Sequence, residues 1–151
     1  QWEAGRTVSE PVGLHDLMPT LLEFGGVPPP EDVEGRSLIP FVRGEAPADW
    51  RDCIGFEHCH SRIGPWQALT NGREKYIWQT ESGEEWLFDL RNDPREERNL
   101  CADPAWAEVL SGWRRRLAEV LAPYERFGLV KEGRLNPGNT LPTTEDGEVE
   151  P

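Results

Sequence analysis

The stretch from Lys75 to Pro104 constrains this chain more than any other, because strand, turn, strand, acidic turn and helix start follow one another in it without a gap. Lys75–Thr80 is aromatic and β-branched, and Ser82-Gly83 stands where a tight hairpin needs a residue tolerant of positive φ. Glu85–Leu90 supplies the partner strand, with Trp86, Phe88 and Leu90 alternating against Glu85, Leu87 and Asp89. Asn92-Asp93-Pro94 ends it, since proline has no amide hydrogen for the ladder. Asp103-Pro104 opens a helix as N-cap and first-turn proline.

Around this hairpin the pattern predicts a small sheet. Asp52–His58 and Trp66–Thr70 read as further strands, and Asn71-Gly72 joins the second to Lys75–Thr80 as a hairpin in which both turn residues take positive φ. A helix over about Pro104–Leu121 follows. Trp106, Val109, Leu110, Trp113, Leu117 and Leu121 form its apolar stripe, while Arg114, Arg115, Arg116 and Glu119 face away. That stripe is expected to cover one face of the sheet. Near the start, Asp16 caps a helix whose face is Leu17, Met18, Leu21, Leu22 and Phe24 and which ends at Gly25-Gly26. The fold class is therefore α+β: a small four-stranded antiparallel sheet packed by a C-terminal helix and preceded by a helical segment. Removed from its surroundings, the first helix would expose Leu17, Leu21 and Phe24.

Two blocks of residues carry a family likeness. Lys75-Tyr76-Ile77, Leu87-Phe88-Asp89-Leu90, Asp93-Pro94, Glu96 and Asn99-Leu100 resemble the C-terminal region of sulfatases, members of the alkaline-phosphatase superfamily. Upstream, Val12–Leu22 with Asp16, Pro19 and Thr20, then Gly25-Gly26-Val27 and Gly35-Arg36-Ser37-Leu38, are similar to a second segment of that family. The resemblance implies that residues 1–45 are a remnant edge of the large sulfatase α/β domain and residues 50–122 the C-terminal subdomain. Residues 123–151 are expected as an extended or disordered tail.

The same resemblance implies a formylglycine nucleophile, made from the first residue of C/S-x-P/A-x-R, and a divalent metal, usually calcium. None of the three cysteines fits that pattern. Cys53 leads Ile54-Gly55, Cys101 leads Ala102-Asp103-Pro104, and Cys59 leads His60-Ser61-Arg62 with no intervening proline. The chain is thus expected to be the C-terminal portion of a longer sulfatase, with no nucleophile, metal ligand or cofactor of its own. Its partners would be the N-terminal catalytic domain of the same polypeptide and, for the intact enzyme, a sulfated small molecule or glycan. Phosphonate monoester and phosphodiester hydrolases share this architecture, and a non-catalytic accessory domain is the reading from another class. A C-x-P-x-R motif in the adjoining sequence would separate enzyme from accessory domain.

Composition excludes some partners. With a formal net charge of −12, phosphate-held nucleic acid and an anionic membrane surface are both disfavoured. An anionic ester would also be repelled. Three irregularly spaced cysteines make neither a disulfide framework nor a zinc pattern, and their odd count points towards reduced thiols; cytoplasmic and periplasmic or secreted compartments both stay open.

One local cluster has chemical potential: Glu57-His58-Cys59-His60. In an extended segment His58 and His60 share one face and Glu57 the other. Two histidines fall short of a zinc site, which takes at least three protein ligands. Some arylsulfatase-like sequences carry Gly-Glu-His at this strand end, matched here by Phe56-Glu57-His58 with phenylalanine in place of the glycine. Glu57, His58 and His60 are therefore the candidate substrate-binding residues, reaching over the pocket of the intact enzyme. Asp89, Asp93 and Glu96 lack the register of a calcium loop and are expected to cap turns and pair with Arg91, Arg95 and Arg98.

Overall fold

The computed structural model describes residues 5, 7–58 and 64–138. The chain forms two compact units, Gln1–Ile54 and Gly55–Pro151.

In the first unit a 3-10 turn, Leu14–Asp16, runs into α1 (Leu17–Phe24), and α2 spans Ile39–Arg43. Pro19 lies in the first turn of α1, where a missing amide costs nothing. Gly26, rather than Gly25, takes the left-handed turn at φ 72° that ends the helix. Ile39 and Phe41 of α2 are buried, and Phe41 meets the Trp50 ring edge-on at 4.7 Å. The apolar face of α1 is not buried: Leu21 is 69% and Phe24 67% exposed.

The second unit is built on a four-stranded antiparallel sheet in the order β1 (Ile54–His58), β2 (Trp66–Thr70), β3 (Glu74–Gln79) and β4 (Glu85–Asp89). Ala68 pairs with Ile77 across β2 and β3, and Tyr76 with Leu87 across β3 and β4. The β2–β3 connection departs from the expected two-residue turn. Gly72 has φ 81° but Asn71 does not join it at positive φ; instead the Asn71 carboxamide accepts from the amides of Arg73 and Glu74. A side chain that mimics a backbone turn removes the need for a second left-handed residue.

A 3-10 turn, Pro104–Trp106, leads into α3 (Ala107–Leu121), and the Asp103 carboxylate accepts from the Ala105 amide as its cap. Leu110, Trp113, Leu117 and Leu121 are buried as the stripe requires, whereas Val109 lies at the rim, 36% exposed. Leu69, Tyr76 and Leu87 are fully buried in the sheet. Arg114 does not simply face solvent. Its guanidinium forks onto the Glu85 carboxylate on β4, and Tyr76 Oη donates to Glu85 Oε1 at 2.5 Å. Helix and sheet are thereby joined by a charged, hydrogen-bonded node.

The acidic turn after β4 closes the edge of that strand. Asn99 Oδ1 accepts from the Leu87 amide at 3.1 Å, Asn99 Nδ2 donates to the Glu85 carbonyl at 2.9 Å, and the Leu100 amide donates to Leu87 O. A carboxamide, with one acceptor and one donor, serves here as a fragment of a further strand. Glu96 adopts φ 58°, unusual for a residue with a side chain, and its carboxylate holds Lys75 Nζ at 2.8 and 2.9 Å. Asp89 and Asp93 cap backbone amides of Arg91, Asn92 and Arg98 rather than pairing with arginine side chains. The Arg98 guanidinium goes instead to Asp103.

Beyond α3 the chain is more ordered than an extended tail. Ala122–Phe127 makes a 3-10 segment, then β5 (Val130–Lys131) and β6 (Arg134–Leu135) form a hairpin. Leu129 and Val130 are buried, and the Gly138 amide donates to Thr80 O. Composition hid this, because two buried apolar residues suffice to pin a short hairpin. Residues 139–151 lie outside the described residues.

Two substitutions test this construction by urea unfolding. Trp113→Ala should lower stability by about 3–5 kcal/mol. Asn99→Ala, which leaves the buried Leu87 amide unpaired, should lower it by about 1–3 kcal/mol. A neutral Asn99→Ala would mean that the β4 edge does not depend on the carboxamide.

Candidate functional site

Strand alternation divides the residues expected to meet substrate. Glu57 and His58 end β1, both exposed, and point to opposite faces of the sheet. The His58 imidazole stacks on the Trp66 ring of β2, with centroids 5.7 Å apart and planes 25° from parallel. On the other face Gln67 Nε2 donates to Glu57 Oε2 at 2.9 Å. His60 lies outside the described residues, as do Cys59 and Arg62. Trp66 and Gln67 carry no signal of a site in the sequence. They read there as ordinary strand residues, and only cross-strand neighbourhood gives them a role.

A second polar constellation lies in the first unit and centres on Asp16. Asp16 occupies the N-cap position of α1, yet its carboxylate does not cap that helix as expected. It turns back instead. Oδ2 accepts from the Gly13 amide at 2.8 Å, Oδ1 from the Arg36 amide at 2.8 Å, and the Arg51 guanidinium spans both oxygens at 2.6 and 2.7 Å. Asp16 is fully buried. Burial opposes its charge, but the Arg51 guanidinium and the Arg36 and Gly13 amides outweigh that and hold the carboxyl at about 2.

Neighbouring motif residues complete this cluster. Thr20 Oγ1 donates to Asp16 O and accepts from the Leu38 amide, so Asp16 and Thr20 together grip the Gly35–Leu38 segment. A Cβ at Gly35 would lie 2.0 Å from the His15 carbonyl oxygen, which excludes any larger residue without a backbone shift. Arg36 and Arg51 both lie over the Trp50 ring, at 4.8 and 4.7 Å from its centroid. Trp50 Nε1 donates to Pro11 O. The hydrogen bonds of Asp16, Thr20 and Arg51 named here all go to other parts of the fold, so they act as a structural tie.

The Tyr76–Glu85–Arg114 node is likewise structural. Burial and the bond to Glu85 push the Tyr76 phenol far up, while Arg114 and Tyr76 overcome burial to hold Glu85 below its ordinary range. Burial, assisted by the Glu85 charge, pushes the Cys101 thiol up to about 11, so that cysteine is not an activated nucleophile. Among the described residues no three His, Cys, Asp or Glu side chains converge to hold a metal ion. The divalent metal implied by the resemblance therefore has no such set of ligands among the described residues.

Comparison with known proteins gives this geometry a context. The family described as N-sulphoglucosamine sulphohydrolase, C-terminal, matches residues 1–122. An arylsulfatase of Clostridium perfringens is 35% identical over 139 residues, which is 92% of this chain and 28% of that protein. A Delta 4,5-hexuronate-2-O-sulfatase of Bacteroides thetaiotaomicron is 32% identical over 110 residues, 70% of this chain and 23% of its own length. Among solved structures, a phosphonate monoester hydrolase from Silicibacter pomeroyi is similar with a TM-score of 0.66 at 28% identity, over 97% of this chain and 30% of that one. The chain spans about a quarter of the length of the curated relatives it matches.

The Asp16 tie makes a pH prediction. Its folded pKa lies below the ordinary value of 3.8, so folding favours the ionised form. That contribution, about 2 kcal/mol, is complete above pH 4 and is lost as the pH falls from 4 through 2. Hydrogen exchange of the Gly13 and Arg36 amides should accelerate across that window, and Asp16→Asn should flatten the acid limb. Unchanged protection of both amides at pH 2 would refute the assignment.

Proposed function

The chain belongs to the N-sulphoglucosamine sulphohydrolase C-terminal family, and from that premise we propose that it is the C-terminal portion of an enzyme whose intact form hydrolyses sulfate esters. The observation that carries this reading is the family match over residues 1–122. This portion supports the fold and lines the substrate pocket, and the reacting groups come from elsewhere in the polypeptide. Calcium or another divalent metal, together with formylglycine, would supply the electrophilic stabilisation and the nucleophile of the intact enzyme.

In this reading residues 1–45 complete the edge of the large α/β domain, and residues 50–122 form the smaller subdomain. The exposed apolar surface of α1 and the turn before it supports the first assignment, since Leu14, Leu21 and Phe24 are each more than half exposed and lie within eleven residues. The partners are then the N-terminal catalytic domain of the same polypeptide and a sulfated small molecule or glycan. Glu57, His58 and His60 form the pocket rim and recognise the portion of the ester that is not sulfate. Histidine suits a rim because its imidazole donates and accepts hydrogen bonds near neutral pH. The likeness to a phosphonate monoester hydrolase over nearly the whole chain favours one second reading, hydrolysis of a phosphonate or phosphodiester by the same architecture.

Assays on the intact protein separate the two. Turnover of an aryl sulfate well above that of a phenyl phosphonate monoester supports the sulfatase, and the reverse order supports the alternative. His58→Ala should shift relative kcat/KM among several esters by about tenfold with little change in Tm. Flat kinetics across those esters would remove His58 from the rim. The chain alone, free of contaminating enzyme, should turn over none of them.

A further inference from the structure

We infer that Trp66 and Gln67 of β2 are positioning residues that hold His58 and Glu57 for recognition of the uncharged, hydroxylated ring of the substrate. This rests on the rim reading of β1. Two adjacent residues of one strand meet two adjacent residues of the next, one pair on each face. His58 is exposed at a strand end, where an unsupported imidazole would sample several rotamers. Offset stacking on Trp66 at 5.7 Å selects among them, and the 2.9 Å bond from Gln67 does the same for the Glu57 carboxylate. Side chains ordered before the ligand arrives lose less conformational entropy on binding.

The chemistry of the two positioned residues, Glu57 and His58, selects the ligand portion. Glu57 repels an anionic group, so the sulfate itself is not what they contact. The Glu57 carboxylate can accept from a hydroxyl, and the His58 imidazole can donate to one or accept from it. A monosaccharide sulfate should therefore depend on the two braces, and an aryl sulfate lacking ring hydroxyls should not.

The test uses the intact enzyme and a monosaccharide sulfate beside an aryl sulfate. Trp66→Leu should raise KM for the sugar ester about 3–10-fold while kcat and the aryl-sulfate KM stay within about twofold. Trp66→Phe, which keeps an aromatic ring, should restore most of the loss. Should Trp66→Leu fail to fold, Gln67→Leu carries the same expectation through Glu57. In the His58→Ala background Trp66→Leu should have no further effect on KM, because a positioning residue acts only through the group it positions.

Nuclear magnetic resonance supplies a readout independent of turnover. The His58 ring protons should be shifted upfield by the indole, and Trp66→Leu should abolish that shift. Additive effects of the two substitutions, or His58 ring protons without an upfield shift, would overturn the positioning role while leaving the rim intact. Flat kinetics for His58→Ala would instead overturn the rim reading and this inference with it.

Discussion

A buried polar group without a partner costs about 1–3 kcal/mol, and the motif residues of this chain are arranged to leave none. Among the described residues no buried side-chain nitrogen or oxygen lacks a hydrogen bond. In the first unit Asp16 meets two backbone amides and a guanidinium, and Thr20 adds the amide of Leu38. In the second unit Asn99 meets an amide and a carbonyl on the open edge of β4. Each of these side chains does for irregular backbone what a helix or ladder does for regular backbone. The two sequence blocks that mark the family contain these residues. Their spacing follows from hydrogen-bond geometry, with no catalytic role required.

This accounts for what could be read from the sequence. Elements set by local periodicity were legible: the β3–β4 hairpin from alternation with Ser82-Gly83, and α3 from apolar residues every three or four positions. Residues whose partners lie far along the chain were not. Asp16 has the composition of an N-cap, and nothing local reveals that Arg51, thirty-five residues on, will claim it. Arg114 sits in a run of three arginines that reads as solvated, yet Glu85 lies within reach once α3 packs on the sheet. In both cases a local rule lost to a tertiary ion pair.

The candidate site was legible to the same depth. Parity along an extended strand is enough to separate Glu57 from His58, because successive side chains alternate. What parity does not give is the neighbour across the ladder. Trp66 and Gln67 lie eight and ten residues from His58 and Glu57, respectively, and pairing them requires the register of the two strands.

Charge adds a constraint on which part of an ester this region can hold. The chain carries 28 acidic and 16 basic side chains, and many of its cations are already committed. Arg36 is held by Asp49, Arg51 by Asp16, Lys75 by Glu96, Arg98 by Asp103 and Arg114 by Glu85. A cation paired to a carboxylate inside the fold offers little net attraction to a second anion, since the pair is close to neutral at a distance. Capture of a sulfate group by any of these five cations would require breaking its pair, and for Arg51 that would strand a buried Asp16 carboxylate at a cost of about 3–5 kcal/mol. Recognition on β1 by a histidine and a carboxylate, both exposed and neither committed to an ion pair among the described residues, avoids that cost. On the proposed rim reading, the ion pairs that stabilise the scaffold leave Glu57 and His58 of β1 to meet a polar, uncharged portion of a substrate.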